Sequence, residues 1–246
     1  MIYITGDTHR EFGTRLSYIG KSKENMLIIL GDACINYFLD KRDEELKKDL
    51  LRNNIIFFCI QGNHEERPEN IKTYKEKEMF GGKVFIEDKY PNLIFAKNGE
   101  VYNIAEKSVL VIGGAYSVDK YYRIKDKKPW FKGEQLTEKE KVEILEKYRN
   151  KHVDIILSHT CPFKYMPTEA FISGLDQSTV DTSMEQFLDI VEENIDYDKW
   201  YCGHYHINKN IDKLEIMYWK IKDFSSDTFL SKWNKERNTK VKLLKK

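Results

Sequence analysis

Five of the six histidines in the chain lie in short polar clusters that also contain Asp7, Asp32 and Asn63. The clusters are Gly6-Asp7-Thr8-His9, Gly31-Asp32, Gly62-Asn63-His64-Glu65, Ser158-His159 and Gly203-His204-Tyr205-His206. Imidazole, carboxylate and amide groups together suit divalent metals such as manganese, iron, cobalt or zinc. They do not form the all-oxygen cage that calcium prefers. The clusters therefore predict a transition-metal site, provided that the fold brings them together.

Each cluster directly follows a short apolar run, and a sixth run ends at Gly113-Gly114. The runs are residues 2–4, 26–30, 55–60, 109–112, 155–157 and 200–202. Uninterrupted apolar runs of this length indicate strands that are buried on both faces. Because ligand sites in open α/β sheets lie beyond the carboxyl ends of the strands, we expect the clusters to meet at one edge.

The segments between the runs predict helices and further strands. Residues 40–52 have a helical pattern, and residues 68–80 begin with Pro68 and end at Gly81, which suits a helix start and stop. Two capping boxes predict further helix starts, Thr137 with Glu140 and Thr182 with Glu185. Residues 84–112 have little helical period and predict additional strands.

Length and composition favour one cytoplasmic α/β domain over residues 1–246. The chain is 41% hydrophobic and 33% charged with a net charge of +1, so its overall charge gives no bias toward nucleic acid. No basic leader precedes the first strand, and no apolar run reaches the ~20 residues of a membrane helix. The four cysteines are scattered, which indicates reduced thiols and not a disulfide framework.

Two segments read as insertions that could overhang the metal site, because each follows the end of a predicted strand. Residues 116–150 are rich in tyrosine, lysine and aspartate and predict a partial cap, and residues 161–181 are irregular and polar. The basic C-terminal segment 228–246 is interpreted as a solvated tail or terminal helix. Contact with nucleic acid or a partner protein is the alternative.

In their order and spacing, the five clusters resemble the motifs of the calcineurin-like metallophosphoesterases, and they span residues 6–206. The resemblance implies an α/β/β/α sandwich of two sheets and hydrolysis of phosphate esters by a metal-bridging hydroxide. It also implies two divalent metal ions, with manganese expected first and iron, zinc, cobalt or nickel as alternatives.

The same resemblance assigns a role to each motif residue. Asp7, His9 and His206 would hold one metal, whereas Asn63, His159 and His204 would hold the other. Asp32 would bridge the two ions, because a carboxylate can offer one oxygen to each. His64 would be a general acid that protonates the leaving oxygen.

The second motif departs from the protein serine/threonine phosphatase branch, in which it reads GDxVDRG. Ile35 replaces the second aspartate and Asn36 replaces the phosphate-binding arginine, which argues against phosphoprotein phosphatase activity. Other groups must then bind the substrate phosphate. The candidates are Asn36, Arg10, Arg67 and Arg123, since a guanidinium matches two phosphate oxygens.

Three functions follow from these observations, and we favour hydrolysis of a phosphorylated small molecule or nucleotide, as a monoester or diester. A nucleic-acid phosphodiesterase or nuclease is the first alternative. A protein phosphatase-like enzyme or a non-catalytic binding module is the second alternative. The complete set of ligand positions, together with His64, disfavours the binding module. No membrane partner is expected, and the sequence fixes no oligomeric state.

Overall fold

The computed structural model describes residues 1–171 and 177–230, and these residues form two β-sheets and five α-helices. The strands are β1 (Ile2–Thr5), β2 (Met26–Ile29), β3 (Ile56–Cys59), β4 (Tyr74–Met79), β5 (Gly82–Glu87), β6 (Leu93–Ala96), β7 (Val101–Ile104), β8 (Lys107–Ile112), β9 (His152–Ser158), β10 (Asp196–Cys202), β11 (Lys209–Ile211), β12 (Leu214–Ile216), β13 (Ile221–Asp223) and β14 (Thr228–Phe229). The helices are α1 (Gly13–Leu16), α2 (Lys41–Leu51), α3 (Lys120–Lys125), α4 (Glu138–Tyr148) and α5 (Ser183–Asn194). All six predicted apolar runs are confirmed as strands.

Parallel strands form the centre of both sheets. The first sheet has the order β14-β13-β1-β2-β3-β6-β5-β4, in which β1, β2, β3 and β6 are parallel neighbours. The second sheet has the order β11-β12-β10-β9-β8-β7, in which β8, β9, β10 and β12 are parallel. The carboxyl ends of the central strands in each sheet therefore share one edge, as parallel pairing requires.

Three apolar clusters separate four layers of structure. Between the sheets, Ile28 and Phe58 of the first sheet share one buried cluster with Val111 and Leu157 of the second. On the outer face of the first sheet, Leu50 of α2 joins the buried strand residues. On the outer face of the second sheet, residues of α4 and α5 pack in the same way. The layers are thus helix, sheet, sheet and helix, which confirms the predicted sandwich.

The helix predicted at residues 68–80 is wrong. A short 3-10 turn covers Pro68–Asn70, and the chain then continues as edge strand β4. Phe80 and Gly81 both have positive φ, at 55° and 80°, and form a two-residue turn that joins β4 to β5. Positive φ at both central positions is typical of the tightest β-hairpins, so Gly81 marks a hairpin and not a helix end.

The two predicted capping boxes have different outcomes. Thr137 and Glu140 form the reciprocal bonds of a capping box at the start of α4. Helix α5 also begins after Thr182, but the Thr182 side chain makes no capping bond. Glu185 instead turns into the protein and accepts a hydrogen bond from the hydroxyl of Thr160. Burial of Glu185 against the second sheet therefore replaces the capping contact that its spacing predicts.

The predicted insertion at residues 116–150 contains α3 and α4 and contacts the motif loops at three points described below. Residues 161–171 are irregular apart from two 3-10 turns, at Phe163–Tyr165 and Thr168–Ala170. The predicted basic tail lies outside the described residues from position 231 onward. Among the described residues, no helix combines the length and apolar character that crossing a bilayer requires.

Candidate metal centre

The five motif clusters occupy loops that leave β1, β2, β3, β9 and β10 at their carboxyl ends. Their backbones are tightly bent there, because His9, Asp32, His204 and His206 all have positive φ, between 44° and 69°. A non-glycine residue in this region costs about 1–3 kcal/mol, and such residues persist only where surrounding contacts fix them. Concentration of these conformations at four predicted ligands indicates a functional constraint on the loops.

Asp7, His9 and His206 form the first group of ligand atoms. The Nε2 atoms of His9 and His206 lie 2.8 Å apart, and Oδ2 of Asp7 lies 3.1 Å from His206 Nε2 and 3.7 Å from His9 Nε2. Oδ2 of Asp7 is buried and makes no hydrogen bond among the described residues. A buried carboxylate oxygen without a hydrogen-bond donor is costly. Three converging donor atoms of this kind fit a divalent cation.

His159 and Asn63 form the core of a second group. Nδ1 of His159 lies 2.7 Å from the carbonyl of Leu30, which leaves the lone pair of Nε2 pointing at Oδ1 of Asn63, 2.9 Å away. The amide nitrogen of Asn63 donates to the hydroxyl of Ser117, so the amide oxygen is the atom that faces His159. Two acceptor atoms facing each other at this distance fit a cation that both could bind.

Asp32 lies between the two groups. Its Oδ1 is 3.5 Å from Nε2 of His159, and its Oδ2 is 3.8 Å from Nε2 of His9. Burial alone would raise the pKa of Asp32, but the electrostatic interaction with His159, His64 and His9 and the backbone N–H of His64 hold this pKa below its usual value. Asp32 is therefore ionised, with one oxygen directed at each group, as a bridging ligand requires.

His204 is the least directly placed of the predicted ligands. Its ring contacts the ring of His159 edge-on, with 5.0 Å between centroids. Burial lowers the pKa of His204 to about 3, so the imidazole is neutral and able to bind a metal. The ionisable atoms that converge most closely around His159 come from Asp7 and Asp32. The structure thus places Asp7 near both groups of ligand atoms. The resemblance to the metallophosphoesterases assigns it only to the group with His9 and His206.

Two motif glycines leave room for the carboxylates of other motifs. A Cβ atom at Gly62 would collide with Oδ1 of Asp32, and one at Gly203 would collide with Oδ1 of Asp7. In each case the same oxygen accepts a backbone N–H, from His64 for Asp32 and from His204 for Asp7, both at 2.9 Å. One oxygen of each aspartate is therefore fixed by a neighbouring loop. In Asp7 the other oxygen, Oδ2, is directed at the first ligand group, whereas in Asp32 the fixed oxygen itself faces His159 and Oδ2 faces His9.

His64 lies beside the two groups, with 18% of its side chain exposed and its Nε2 3.8 Å from Oδ2 of Asp32. Its ring meets the ring of His9 edge-on at 5.4 Å. Burial lowers the pKa of His64 below its usual value, the charges of Arg123 and His9 act in the same direction, and Asp32 opposes them.

Two of the predicted substrate contacts are engaged within the protein. Arg10 pairs with Asp43 at 2.5 Å and donates to the carbonyls of Cys34 and Arg42. Arg67 is buried, and its guanidinium donates to Glu140 and to the carbonyls of Gly133 and Gln135. These bonds attach the insertion to the third motif. A substrate-binding role for Arg10 or Arg67 stays a prediction.

The remaining two candidates differ in their access to the site. Asn36 is buried, and its Oδ1 accepts a hydrogen bond from the hydroxyl of Tyr74. Arg123 lies on α3 of the insertion, where Asp119 pairs with its Nε at 2.7 Å and the hydroxyl of Tyr37 lies 2.8 Å from its Nη1. Because Tyr37 follows the second motif, this contact brings the insertion over the motif loops and beside His64.

One contact residue could not be found from the motifs. Ser117 accepts the amide hydrogen bond of Asn63 and thereby orients the oxygen of that side chain. The sequence signal for Ser117 is weak, because it consists only of a position shortly after the strand end at Gly113-Gly114.

Comparison with known proteins places these observations in a family context. The family model for calcineurin-like phosphoesterases matches residues 1–208. Among solved structures, the crystal structure of TT1561 of Thermus thermophilus is similar, with a TM-score of 0.44 and 11% sequence identity, over 93% of this chain and 96% of that chain. No curated protein matches the chain.

Proposed function

Since this chain belongs to the calcineurin-like phosphoesterase family and is a metal-dependent phosphoester hydrolase, we propose that it acts on small-molecule or nucleotide phosphate esters with two divalent cations. One observation carries this proposal. The two oxygens of Asp32 face two separate groups of ligand atoms, with His9 on one side and His159 on the other. A single carboxylate in this position can serve both cations.

When bound, the cations would supply a nucleophile by lowering the pKa of a water and would neutralise charge on the phosphoryl group. The side chains of the protein would hold these cations in place. Asp7, His9 and His206 would hold one cation, Asn63, His159 and His204 would hold the other, and Asp32 would be shared. The mixture of imidazole nitrogen and carboxylate oxygen suits manganese, iron, zinc, cobalt and nickel, and of these we propose manganese as the native metal.

His64 is proposed as the general acid. It is not needed as a ligand in either group, and it lies 3.8 Å from the shared carboxylate, where a substrate phosphate would bind beside it. In this role Nε2 of His64 donates a proton to the leaving oxygen as the P–O bond breaks. A positioned acid of this kind typically contributes about 10²–10⁴ in rate.

Arg123 is proposed as the main substrate contact. Of the four candidates, it is the cation whose charge acts on His64, and α3 carries it over the site. Asp119 and Tyr37 fix the Nε and Nη1 sides of its guanidinium. No described residue accepts a hydrogen bond from Nη2, and we propose that this side of the guanidinium binds a phosphoryl oxygen.

The proposed reaction takes place in the cytoplasm, and the four cysteines support this location because all are free and buried. Stable reduced thiols are typical of reducing compartments.

A hydrolysis panel tests the proposal. Purified protein, with Mn²⁺ or with chelator, is given an aryl phosphate monoester, an aryl diester, nucleotides, cyclic nucleotides, a phosphopeptide and single-stranded nucleic acid. Mn²⁺-dependent turnover of the small esters or nucleotides is the expected result. Turnover confined to nucleic acid or to the phosphopeptide would replace the proposed substrate class, and absence of all turnover with Mn²⁺ bound would support a binding module.

A further inference from the structure

Arg15 of α1 is a buried arginine that lies beneath the first motif. It is 6% exposed, and each nitrogen of its guanidinium has a partner. Nε donates to the hydroxyl of Thr5 at 3.0 Å, and Nη1 donates to the carbonyl of Glu11 at 3.0 Å. Nη2 donates to the carbonyl of Asp7 at 2.5 Å and to the carbonyl of Tyr218 at 3.2 Å. This side chain therefore joins the first motif to the segment that follows β12.

The Tyr218 side chain continues the connection to the metal centre. Its ring stacks on the ring of His206, with centroids 4.6 Å apart and an angle of 19° between the planes. The carbonyl of Tyr218 also accepts a hydrogen bond from the hydroxyl of Thr5 at 3.4 Å. Although His206 is exposed, this stacking packs one ring face against Tyr218 while Nε2 lies beside Asp7.

Close packing at Gly6 supports the same connection independently. A Cβ atom at Gly6 would collide with the backbone carbonyl of Met217, so the first motif lies directly against residues 217–218. The ligands Asp7 and His206 are thus attached to one backbone segment, Asp7 through Arg15 and His206 through Tyr218. Their Oδ2 and Nε2 atoms lie 3.1 Å apart as a result.

We propose that Arg15 and Tyr218 are positioning residues that set the affinity of the group Asp7, His9 and His206 for its divalent cation. This inference rests on the proposed function, because it requires that the group binds a metal. Neither residue belongs to a motif cluster or contributes a ligand atom. Partners that orient metal ligands typically change metal affinity or activity by about 10–100-fold when they are removed.

The experiment is a titration of metal-free protein with Mn²⁺. Binding is measured by calorimetry and by the electron paramagnetic resonance signal of free Mn²⁺. Arg15→Lys keeps the charge but cannot reach four acceptors from one nitrogen. Tyr218→Ala removes the stacked ring and keeps the backbone carbonyl, and Tyr218→Phe keeps both. Lys47→Met is the control for lost stability, because Lys47 is buried in an ion pair with Glu87 at 2.5 Å, in contact with neither group.

We expect Arg15→Lys and Tyr218→Ala each to weaken one Mn²⁺ site about 10–100-fold and to leave the other within about threefold. Tyr218→Phe and Lys47→Met should bind both ions as the wild type does, although Lys47→Met unfolds at a lower temperature. If Arg15→Lys and Tyr218→Ala lower the unfolding temperature but leave both Mn²⁺ affinities unchanged, the positioning role is refuted and the proposed function stands. A wild type that binds no Mn²⁺ refutes both. If Arg15→Lys does not fold, the comparison of Tyr218→Ala with Tyr218→Phe decides the result.

Discussion

His9 and His206 are 197 positions apart in the chain, and their Nε2 atoms face each other at 2.8 Å. At most one proton can occupy the space between the two nitrogens, and Oδ2 of Asp7 adds a third donor atom to the same space. Three donor atoms from distant parts of the chain therefore share one small volume. From this arrangement we derive predictions for the metal ligands, the proton donor, the substrate contact and a buried acid beside the site.

Replacing the shared carboxylate should abolish turnover. In Asp32→Asn one oxygen becomes an NH₂ group, which cannot bind a cation. Because metal ions contribute several kcal/mol of transition-state stabilisation, we expect kcat/KM to fall by at least about a thousandfold. Treatment with chelator should have the same effect and should be reversed by Mn²⁺. The measurement is kcat/KM with an aryl phosphate, combined with Mn²⁺ stoichiometry.

Asp49→Asn is the matched control for Asp32→Asn, since Asp49 lies on the exposed end of α2 and pairs with Arg52. Its activity should equal that of the wild type. An Asp32→Asn protein that retains both two bound ions and full turnover would contradict the bridging role.

His64→Ala should spare Mn²⁺ binding and slow the substrates with the poorest leaving groups most, by about 10²–10⁴. The acid must be protonated to act, and burial lowers the pKa of His64. Bound cations act in the same direction. The ratio of wild-type to His64→Ala kcat/KM should therefore fall as the pH rises, with a midpoint below about 6.5. An equal loss for all leaving groups, independent of pH, would count against this role.

Arg123→Gln should weaken phosphate binding while leaving both metal ions in place. A hydrogen bond to a charged group is worth about 1.5–3 kcal/mol, so we expect KM and the inhibition constant of inorganic phosphate to rise about 10–100-fold. Arg123→Lys should recover only part of the phosphate affinity, because an ammonium group lacks the planar geometry with which a guanidinium binds two oxygens. Arg52→Gln, on the exposed end of α2, is the control. Unchanged phosphate inhibition in Arg123→Gln would exclude the contact.

Glu65→Gln should change the pH dependence of stability. Burial raises the pKa of Glu65 to about 8 from an ordinary value of 4.5, and the charge of Asp32 adds to this. Between these values the folded protein keeps a proton that the unfolded chain has lost. The stability contribution is therefore complete below pH 4.5 and is lost as the pH rises through about 8, by at most about 1.4 kcal/mol per unit.

Urea unfolding of metal-free protein between pH 5 and pH 8 measures this effect. Glutamine does not titrate, so Glu65→Gln lacks the loss of stability that the wild type undergoes as the pH increases. The free energy of unfolding of Glu65→Gln should therefore rise relative to that of the wild type. Glu143→Gln on the exposed face of α4 is the control and should remain parallel to the wild type. Parallel curves for Glu65→Gln would show that Glu65 is ionised throughout this range.

Much of this architecture can be predicted from the sequence, because two local signals coincide. Apolar runs indicate the buried strands, and the clusters that end them hold Asp7, Asp32, Asn63 and the histidines. Parallel pairing then brings the clusters to one edge. The capping box at Thr137 was predictable for a similar reason, since both of its partners lie within one helical turn.

The sequence-based predictions fail where contacts between distant residues determine the local structure. Strand β4 is rich in lysine and glutamate and lies at a sheet edge, where its side chains pair across strands. Glu76 binds Lys83 and Lys97, and Lys77 binds Asp88. The same charges would suit an exposed helix, so composition alone could not separate the two. The contacts of Ser117 and Arg15 likewise depend on residues far away in the sequence.

The separation of the ligands between the two sheets has a consequence for the lifetime of the protein. Asp7, Asp32 and Asn63 follow strands of the first sheet, whereas His159, His204 and His206 follow strands of the second. A cation held by both sets acts as a staple across the sandwich, and saturation at a hundred times its dissociation constant adds about 2.7 kcal/mol to the free energy of unfolding. Loss of the metal would therefore remove this contribution along with the activity, and would leave a larger fraction of the protein open to proteolysis.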